Sequence, residues 1–513
     1  MQIPAEVDLL IVGGGINGAG IARDAAGRGL SVALCEQADF AGATSSASTK
    51  LIHGGLRYLE HYEFRLVGEA LAEREVLLGI APHIAWPLRF VMPHAKGLRP
   101  AWMIRLGLFL YDRLGGRSSL PKSQGIALRD SAYGAGLKPA YRRGFIYSDA
   151  WVDDARLVIL NLRSAAAHGA SILPRTRFLG ARREKDVWVA RLEPAGSGEV
   201  IELRARILVN AAGPWVGQVD ATLDARRASA RVRLVKGSHI IVPRLFEGEH
   251  AYIVQDEGKR IIFMIPYEQE FTLIGTTDVV VDAIAEGAGI SQAEIDYLCA
   301  SVSRYTREPV TPDMVVWSYS GIRPLYDNGV DDPSAVTRDY TLVLDEEAQR
   351  APCLSIFGGK ITTYRKLAEA ALDKLQPWLD DKRGKWTGSE ALPGGELGAG
   401  GRSALLAKLR TAYPLMPASL LQSLLRRHGT LAFDILGKRH TPAELGRDFG
   451  GGLYECEVRY LAAREWASAA DDFLWRRTKA GLHMSEEQRR AFAAFIAEDP
   501  QLHRLQAVAG GDD

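Results

Sequence analysis

Asp8 to Gly20, DLLIVGGGINGAG, is the stretch from which the rest of the chain is read. An apolar run, Leu9-Leu10-Ile11-Val12, enters a glycine turn and leaves it into a helical pattern with Ile21, Ala22, Ala25 and Ala26 on one side. The spacing G-x-G-x-x-G falls on Gly13, Gly15 and Gly18. In that pattern the first glycine permits a tight turn, the second lets the backbone approach a pyrophosphate, and the third lets helix and strand pack closely. Ile16 and Asn17 then open a helix whose unpaired N–H groups and macrodipole favour an anion.

Working outward, a second strand, Leu30 to Cys35, ends at Glu36, eighteen residues beyond Gly18, with Gln37 beside it. An acidic side chain about 20 residues on meets the ribose hydroxyls of a dinucleotide. A carboxylate there disfavours a 2′-phosphate, so the pattern predicts FAD or NAD rather than NADP. An ordinary α/β turn is the competing reading of the glycines.

The chain of 513 residues is too long for one simple core and predicts two to four domains. Lys plus Arg total 63 against 62 Asp plus Glu, so no bulk charge draws nucleic acid, and any basic patch is local. The four cysteines, Cys35, Cys299, Cys353 and Cys456, form no C-x-x-C pair, which argues against a metal site or a disulfide framework and for a reducing, intracellular setting. The first strand begins almost at Met1, which predicts no signal peptide. No uninterrupted apolar run of about 18 residues is present to span a bilayer, and peripheral attachment stays open.

After Glu36 the chain is dense in small polar residues, Thr44, Ser45, Ser48 and Lys50 among them, then Leu51-Ile52-His53-Gly54-Gly55-Leu56-Arg57-Tyr58. Hydroxyls and paired glycines fit a backbone pressed against a flat ring system, with His53, Arg57 and Tyr58 beside it; a solvated loop is the alternative. Pro100 to Gly116 sets Trp102, Met103, Leu106, Phe109 and Leu110 on one helical face, with Arg105 and Arg113 near the ends. It reads equally as a membrane-surface helix and as a buried one.

A helix from Asp154 to His168 follows, and Thr176-Arg177-Phe178 is placed to contact an adenine. A buried-type strand, 207–210, runs into Ala211-Ala212-Gly213-Pro214-Trp215, a further close approach to the cofactor. From Val232 to Thr277 short β runs predict an antiparallel sheet inserted as a substrate lid, with His239 on its first strand and Asp278 closing a turn. Gly321 and Arg323 follow another β run, Arg338 lies 15 residues beyond Arg323, and Phe357 leads into Gly358-Gly359-Lys360-Ile361-Thr362 before a helix. Lys360 at a helix start suits the negative charge of a reduced flavin. Residues 393–401 read as a linker and the remainder as helices, with Arg476-Arg477-Thr478-Lys479 a local basic patch, solvated or membrane-facing.

The expected architecture is α/β: a Rossmann-like FAD-binding domain (1–80, 145–230 and 340–385), an inserted antiparallel β-sheet substrate domain (81–144 and 231–339) and a C-terminal α-helical domain (390–513). Several glycine-rich turns but one complete fingerprint suit a single enclosed FAD better than an exchangeable NAD.

GGGINGAGIARDAAGRGLSV, TSSASTKLIHGGLRYLE, YSDAWVDDARLV, NAAGPW, VKGSHI, IGTTDV, YSGIRPL, TRDYTL, FGGKITTYRKLAE and DDFLWRRTK together resemble the FAD-dependent aerobic glycerol-3-phosphate dehydrogenases of bacteria. The resemblance covers nearly the whole chain. It implies oxidation of sn-glycerol 3-phosphate to dihydroxyacetone phosphate and reoxidation of FAD by ubiquinone. It also implies attachment to the cytoplasmic face of the inner membrane and a homodimer.

Arginines suit a phosphate dianion, which makes Arg57, Arg323 and Arg338 the candidate anchors, with Tyr58 as a further donor. A neutral imidazole is the natural acceptor of the hydroxyl proton: His53 is the first choice and His239 the second, with Lys360 and Arg323 completing the catalytic group. An O2-dependent oxidase, an amine or amino-acid oxidase, and a flavin protein without turnover are the competing functions.

Overall fold

The computed structural model describes residues 3–94, 99–223, 232–256, 258, 260–287, 289–326, 339–345, 351–379 and 383–502. Arg338 lies outside them.

The run Leu9 to Val12 becomes the central strand Glu6–Val12, whose residues Leu9, Leu10 and Ile11 have no exposed surface. It pairs in parallel with Ile201–Asn210 on one side and Val32–Cys35 on the other, with Leu10 opposite Leu208 and Ala33. Strands buried on both faces lose the alternation of a half-exposed sheet, which is why the buried stretches 9–12, 207–209 and 32–35 are apolar throughout. Cys353–Phe357 and Ser171–Leu173 extend the parallel set, and Thr341–Asp345 adds an antiparallel edge. The helices Ile16–Gly27, Asp154–Ala167 and Tyr364–Leu375 pack together against this sheet.

A second, ten-stranded sheet carries the predicted insertion. Val232–Pro243 is its long central strand, paired antiparallel with Phe271–Gly275 and with Trp317–Tyr326. One face packs on the helix Gln292–Ser303, the other on the helices Phe64–Ile80 and Ala101–Leu114. The division expected from sequence is shifted here: Leu51–Ile52 and Arg143–Val152 both belong to this second sheet. All but the first residue of Arg143–Val152 is buried, so its apolar run carries no mark of which sheet it joins. The chain crosses between sheets immediately afterwards, at Asp153-Asp154.

The C-terminal part is helical: Gly401–Ala412, Ala418–His428, Ala432–Leu436, Glu455–Arg464 and Glu486–Glu498. The helix Glu455–Arg464 ends just before Trp466, which adopts a left-handed backbone, φ +56°, and a π-helical turn, Asp472–Arg477, follows. The glycine-rich stretch read as a linker is strapped down at its start. Gly394 and Gly395 are buried, and the Thr430 N–H donates to the Gly394 carbonyl at 3.1 Å. Among the described residues no helix is long and apolar enough to cross a membrane.

Candidate active site

Four parallel strands of the first sheet end at Val12, Cys35, Asn210 and Phe357, and Val12, Cys35, Ala211 and Gly358 at these ends line a cleft of ≈ 620 Å³. Ligands of open α/β sheets bind outside the carboxyl ends of the strands, and this cleft is in that position. Its glycines fit the expected roles unequally. A Cβ on Gly13, where φ is +112°, would lie 2.5 Å from the Ala211 carbonyl oxygen, and one on Gly18 would lie 2.0 Å from the Gly13 oxygen. Those two are closed by the protein's own backbone. A Cβ on Gly15 would meet only Ser45 Oγ, at 3.1 Å, so the room beside Gly15 belongs to the cleft.

The helix after this turn starts at Gly15 with no side-chain cap. Its Ile16 N–H donates to Ser45 Oγ at 3.0 Å, which draws the segment around Thr44 over the turn. Thr44 Oγ1 in turn donates to the Ile322 carbonyl at 2.6 Å and ties that segment to the second sheet. Glu36 accepts hydrogen bonds from Gly14 N at 2.8 Å and Ala38 N at 2.9 Å, and burial raises its carboxyl above the ordinary range. Gln37, Arg177 and Phe178 line the cleft near Glu36; Ala212, Gly213 and Trp215 form another wall, and Asn17, Gly358 and Gly359 a third. Asn17 Nδ2 donates to the Gly358 carbonyl at 3.1 Å, joining the first and last glycine turns of the chain. A cleft with a side-chain-free turn, a helix N-terminus and a carboxylate at one end fits FAD.

Just past Gly359, the 360–362 turn meets the 53–58 segment. Lys360 Nζ lies 3.8 Å from the centre of the Tyr58 ring. Thr362 Oγ1 accepts from the His53 N–H at 3.3 Å, and the His53 ring meets Phe263 edge-on at 6.3 Å. Arg57 is partly buried on the same turn as Tyr58 and has no carboxylate partner among the described residues. Gly54 N donates to Tyr111 Oη at 2.8 Å, and that hydroxyl is held by Asp149 at 2.8 and 2.9 Å. Burial pushes Asp149 up to about 6, against the pull of Arg74 and Tyr111. Gly55, with φ +76°, leaves room that a Cβ would take from the Tyr58 ring at 2.2 Å.

The second sheet supplies the opposing wall. Tyr319, Gly321 and Arg323 alternate along one face of Trp317–Tyr326, opposite His239, Gly237 and Val235. Gly321 packs on the 44–47 segment, where a Cβ would come within 2.7 Å of Ala47 Cβ. Arg323 pairs with Asp278 and donates to Thr276 Oγ1 at 3.3 Å, and its neighbour Pro324 lines the cleft. Asp278, read from sequence as a turn residue, is thus the counter-charge of a candidate phosphate anchor.

His239 is buried. Its Nε2 meets Thr49 Oγ1 at 2.9 Å, its ring stacks on Tyr319 at 4.8 Å, and its Nδ1 has no partner among the described residues. Burial first, then Arg323 and Lys50, hold its pKa well below 6.5, so the ring is neutral at physiological pH.

Several cofactor candidates are placed elsewhere. Lys50 is buried with Nζ 2.7 Å from Asp154 Oδ1, and the other oxygen of Asp154 accepts from Ser48 N and Oγ. Leu51 is buried in the strand pairing with Trp151. The side chains of Ser48, Lys50 and Leu51 therefore face the protein interior, because Asp154 at the head of its helix draws the first two inward. Ile361 opens the 3-10 turn Ile361–Thr363. The basic patch at 476–479 is neither solvated nor membrane-facing. Arg477 and Lys479 are buried, paired with Asp39 and Asp153. Tyr111, Asp149 and Thr49 escaped the reading of the sequence, since each acts through a partner at least 38 residues away along the chain or on another element.

Comparison with known proteins agrees with this geometry. Residues 8–365 match the family described as FAD dependent oxidoreductase, and residues 386–498 the C-terminal domain of alpha-glycerophosphate oxidase. The chain is 52% identical to the D-erythritol 1-phosphate dehydrogenase of Brucella abortus, over 97% of this chain and 99% of that one. It is 51% identical to the aerobic glycerol-3-phosphate dehydrogenase of Escherichia coli, over 96% and 98% of the two chains. The solved glycerol-3-phosphate dehydrogenase from Bacillus halodurans complexed with FAD superposes with a TM-score of 0.74 at 27% identity, covering 98% of this chain and 93% of that one. Fold, cleft and kinship converge: the chain belongs to the FAD-dependent glycerol-3-phosphate dehydrogenase family.

Proposed function

We propose that this enzyme oxidises sn-glycerol 3-phosphate to dihydroxyacetone phosphate and delivers the electrons to a membrane quinone, ubiquinone. The reading rests most on one observation: Lys360, which follows the cleft-lining Gly359, lies against Tyr58, next to Arg57, while Arg323, beside the cleft-lining Pro324 and on the strand paired with the one that carries His239, is braced by Asp278. A dianion in a partly dry pocket requires fixed cations, and a guanidinium braced by Asp278 and Thr276 is pre-oriented for bidentate contact. FAD, when bound, supplies the two-electron acceptor for the hydrogen on the alcohol carbon. The hydroxyl proton goes to His53, whose ring is only partly buried; His239 is sealed behind Tyr319 and engaged by Thr49, and orients rather than accepts.

The acceptor is dissolved in lipid, and the helix Ala101–Leu114 is the element suited to reach it. Trp102 is 66% and Leu106 51% exposed, with Phe109 and Leu110 beside them. Arg113 lies over Phe109, 3.5 Å from the ring centre, and Arg105 turns inward to Ser123. This face lies on the cytoplasmic surface of the inner membrane, and the protein works as a homodimer.

Anaerobic addition of sn-glycerol 3-phosphate to the holoenzyme tests the reading, with D-erythritol 1-phosphate and amino acids in parallel. The expected result is bleaching of the flavin absorbance by glycerol 3-phosphate at the lowest concentration. His53→Gln slows the bleaching by about 10²-fold or more. Faster bleaching by the four-carbon ester would reassign the substrate, and none with either ester would end the proposal.

A further inference from the structure

We propose that the C-terminal helical domain completes the FAD site, with Arg477 as the positioning residue that holds Asp39 in the cleft wall. The inference rests on FAD occupying the cleft between Gly13 and Glu36. Asp39 is a wall residue three positions beyond Glu36 and is almost fully buried. Its two carboxylate oxygens accept from Arg477 Nη1 and Nη2, each at 2.8 Å, and Arg476 adds a further contact. Arg477 itself is wholly buried and also donates to the Glu465 carbonyl at 2.8 Å.

The residues after Asp39 show what this grip controls. Phe40 fills the space beside Gly14, where a Cβ would meet its ring at 2.5 Å, and it meets Trp466 edge-on at 5.5 Å. The Ala41 N–H donates to the Gly14 carbonyl at 3.1 Å. Segment 39–41 is therefore a wedge between the glycine turn and the C-terminal domain. The same domain takes a second hold nearby: Arg175, whose N–H donates to the Ala38 carbonyl at 3.1 Å, is bound by Ser468 Oγ and Asp472 Oδ2, each at 2.6 Å.

Charge gives the wedge its consequence. Glu36 already places a carboxyl group at this end of a cleft meant for an anionic diphosphate, and an uncompensated Asp39 would add repulsion in a poorly screened setting. Two guanidiniums from the C-terminal domain cancel it. Removing Arg477 leaves a buried, under-compensated carboxylate that must shift or take up a proton, and either outcome alters the wall. Lysine cannot reproduce the two-point contact.

The test titrates FAD into apoprotein and records melting temperature with and without FAD for wild type, Arg477→Met, Asp39→Asn, Arg476→Met and the double variant Asp39→Asn/Arg477→Met. Arg477→Met is expected to weaken FAD binding by about tenfold and to shrink the FAD-induced rise in melting temperature. The double variant recovers most of that loss, because no charge is left against the diphosphate. Once saturated with FAD, Arg477→Met keeps the wild-type KM for sn-glycerol 3-phosphate. Equal destabilisation of apo- and holoprotein at unchanged FAD affinity would overturn the proposal, as would a double variant no better than the single. If Arg477→Met does not fold, Arg476→Met, whose side chain is partly exposed, decides: weakened FAD binding supports the proposal and unchanged binding overturns it. The wild-type titration reports FAD binding itself, so a loss confined to the variants is separable from a failure of the cofactor reading.

Discussion

At the scale of single residues the glycine turn divides labour in a way that spacing cannot express. Gly13 and Gly18 are excluded from carrying a side chain by backbone oxygens at 2.5 and 2.0 Å, whereas Gly15 faces Ser45 Oγ and the cleft. Gly18→Ala is therefore expected to lose FAD and to lower the melting temperature of the apoprotein, because a backbone contact has no means of yielding. Gly15→Ala is expected to leave the apoprotein's melting temperature nearly unchanged while weakening FAD binding by about tenfold or more. Equal loss of apoprotein stability in the two variants would contradict this assignment. The glycines themselves were legible because the backbone demand on them is local. The partner that closes Gly13, Ala211, was not, since it follows a strand almost 200 residues later.

At the scale of elements the helix Ala101–Leu114 resolves an ambiguity that its composition left open. Only Leu108 and Tyr111 are buried, so the apolar face predicted from sequence is turned outward and the buried-helix reading falls. Its inner side is not idle, for Tyr111 holds the backbone of Gly54 beside the site. Replacing Leu106 and Leu110 together by Glu is expected to abolish flotation with anionic vesicles, each lost apolar contact being worth about 1.5–3 kcal/mol. FAD content and turnover with a water-soluble acceptor are expected to persist. Undiminished flotation of that variant would place the lipid contact elsewhere. A helical period reports one apolar face; whether core or solvent covers that face depends on the rest of the chain.

At the scale of the whole molecule the C-terminal domain is bound through buried charge rather than a flexible tether. Arg23 donates to the carbonyls of Thr387 and Glu390 at 3.1 and 2.8 Å, and Arg156, from the helix after the second sheet, is paired with Glu465, both without exposed surface. Burial alone would raise the Glu465 carboxyl, yet Arg156 and its neighbours hold it down at about 2, whereas burial keeps His428 and His83 below their ordinary value. The signs follow from linkage. A carboxyl with a depressed folded pKa contributes its full stability above the unfolded value, near 4.5, and loses it as pH falls toward about 2. Histidines kept neutral by burial destabilise the fold as pH drops below about 6.5.

Melting temperature is therefore expected to fall from pH 7 to pH 5 through the histidines, with the Glu465 contribution lost only below that. Glu465→Gln is expected to cost about 3–5 kcal/mol at pH 7 by stranding Arg156, measured by denaturant unfolding. A loss under 1 kcal/mol would mean that the domains are held by apolar packing alone.

The sequence by itself determined the nucleotide-binding turn, the parallel sheet around it, the antiparallel insertion and the helical tail. These depend on local periodicity and on backbone positions where a side chain is excluded, and both are written in adjacent residues. Only the tertiary structure decided that Arg143–Val152 joins the second sheet, that Lys50 turns to Asp154, that Asp278 braces Arg323, and that the basic residues at 476–479 close on Asp39 and Asp153. An ion pair is specified by two side chains meeting in space. Either one, read along the chain, is indistinguishable from a charge meant for water.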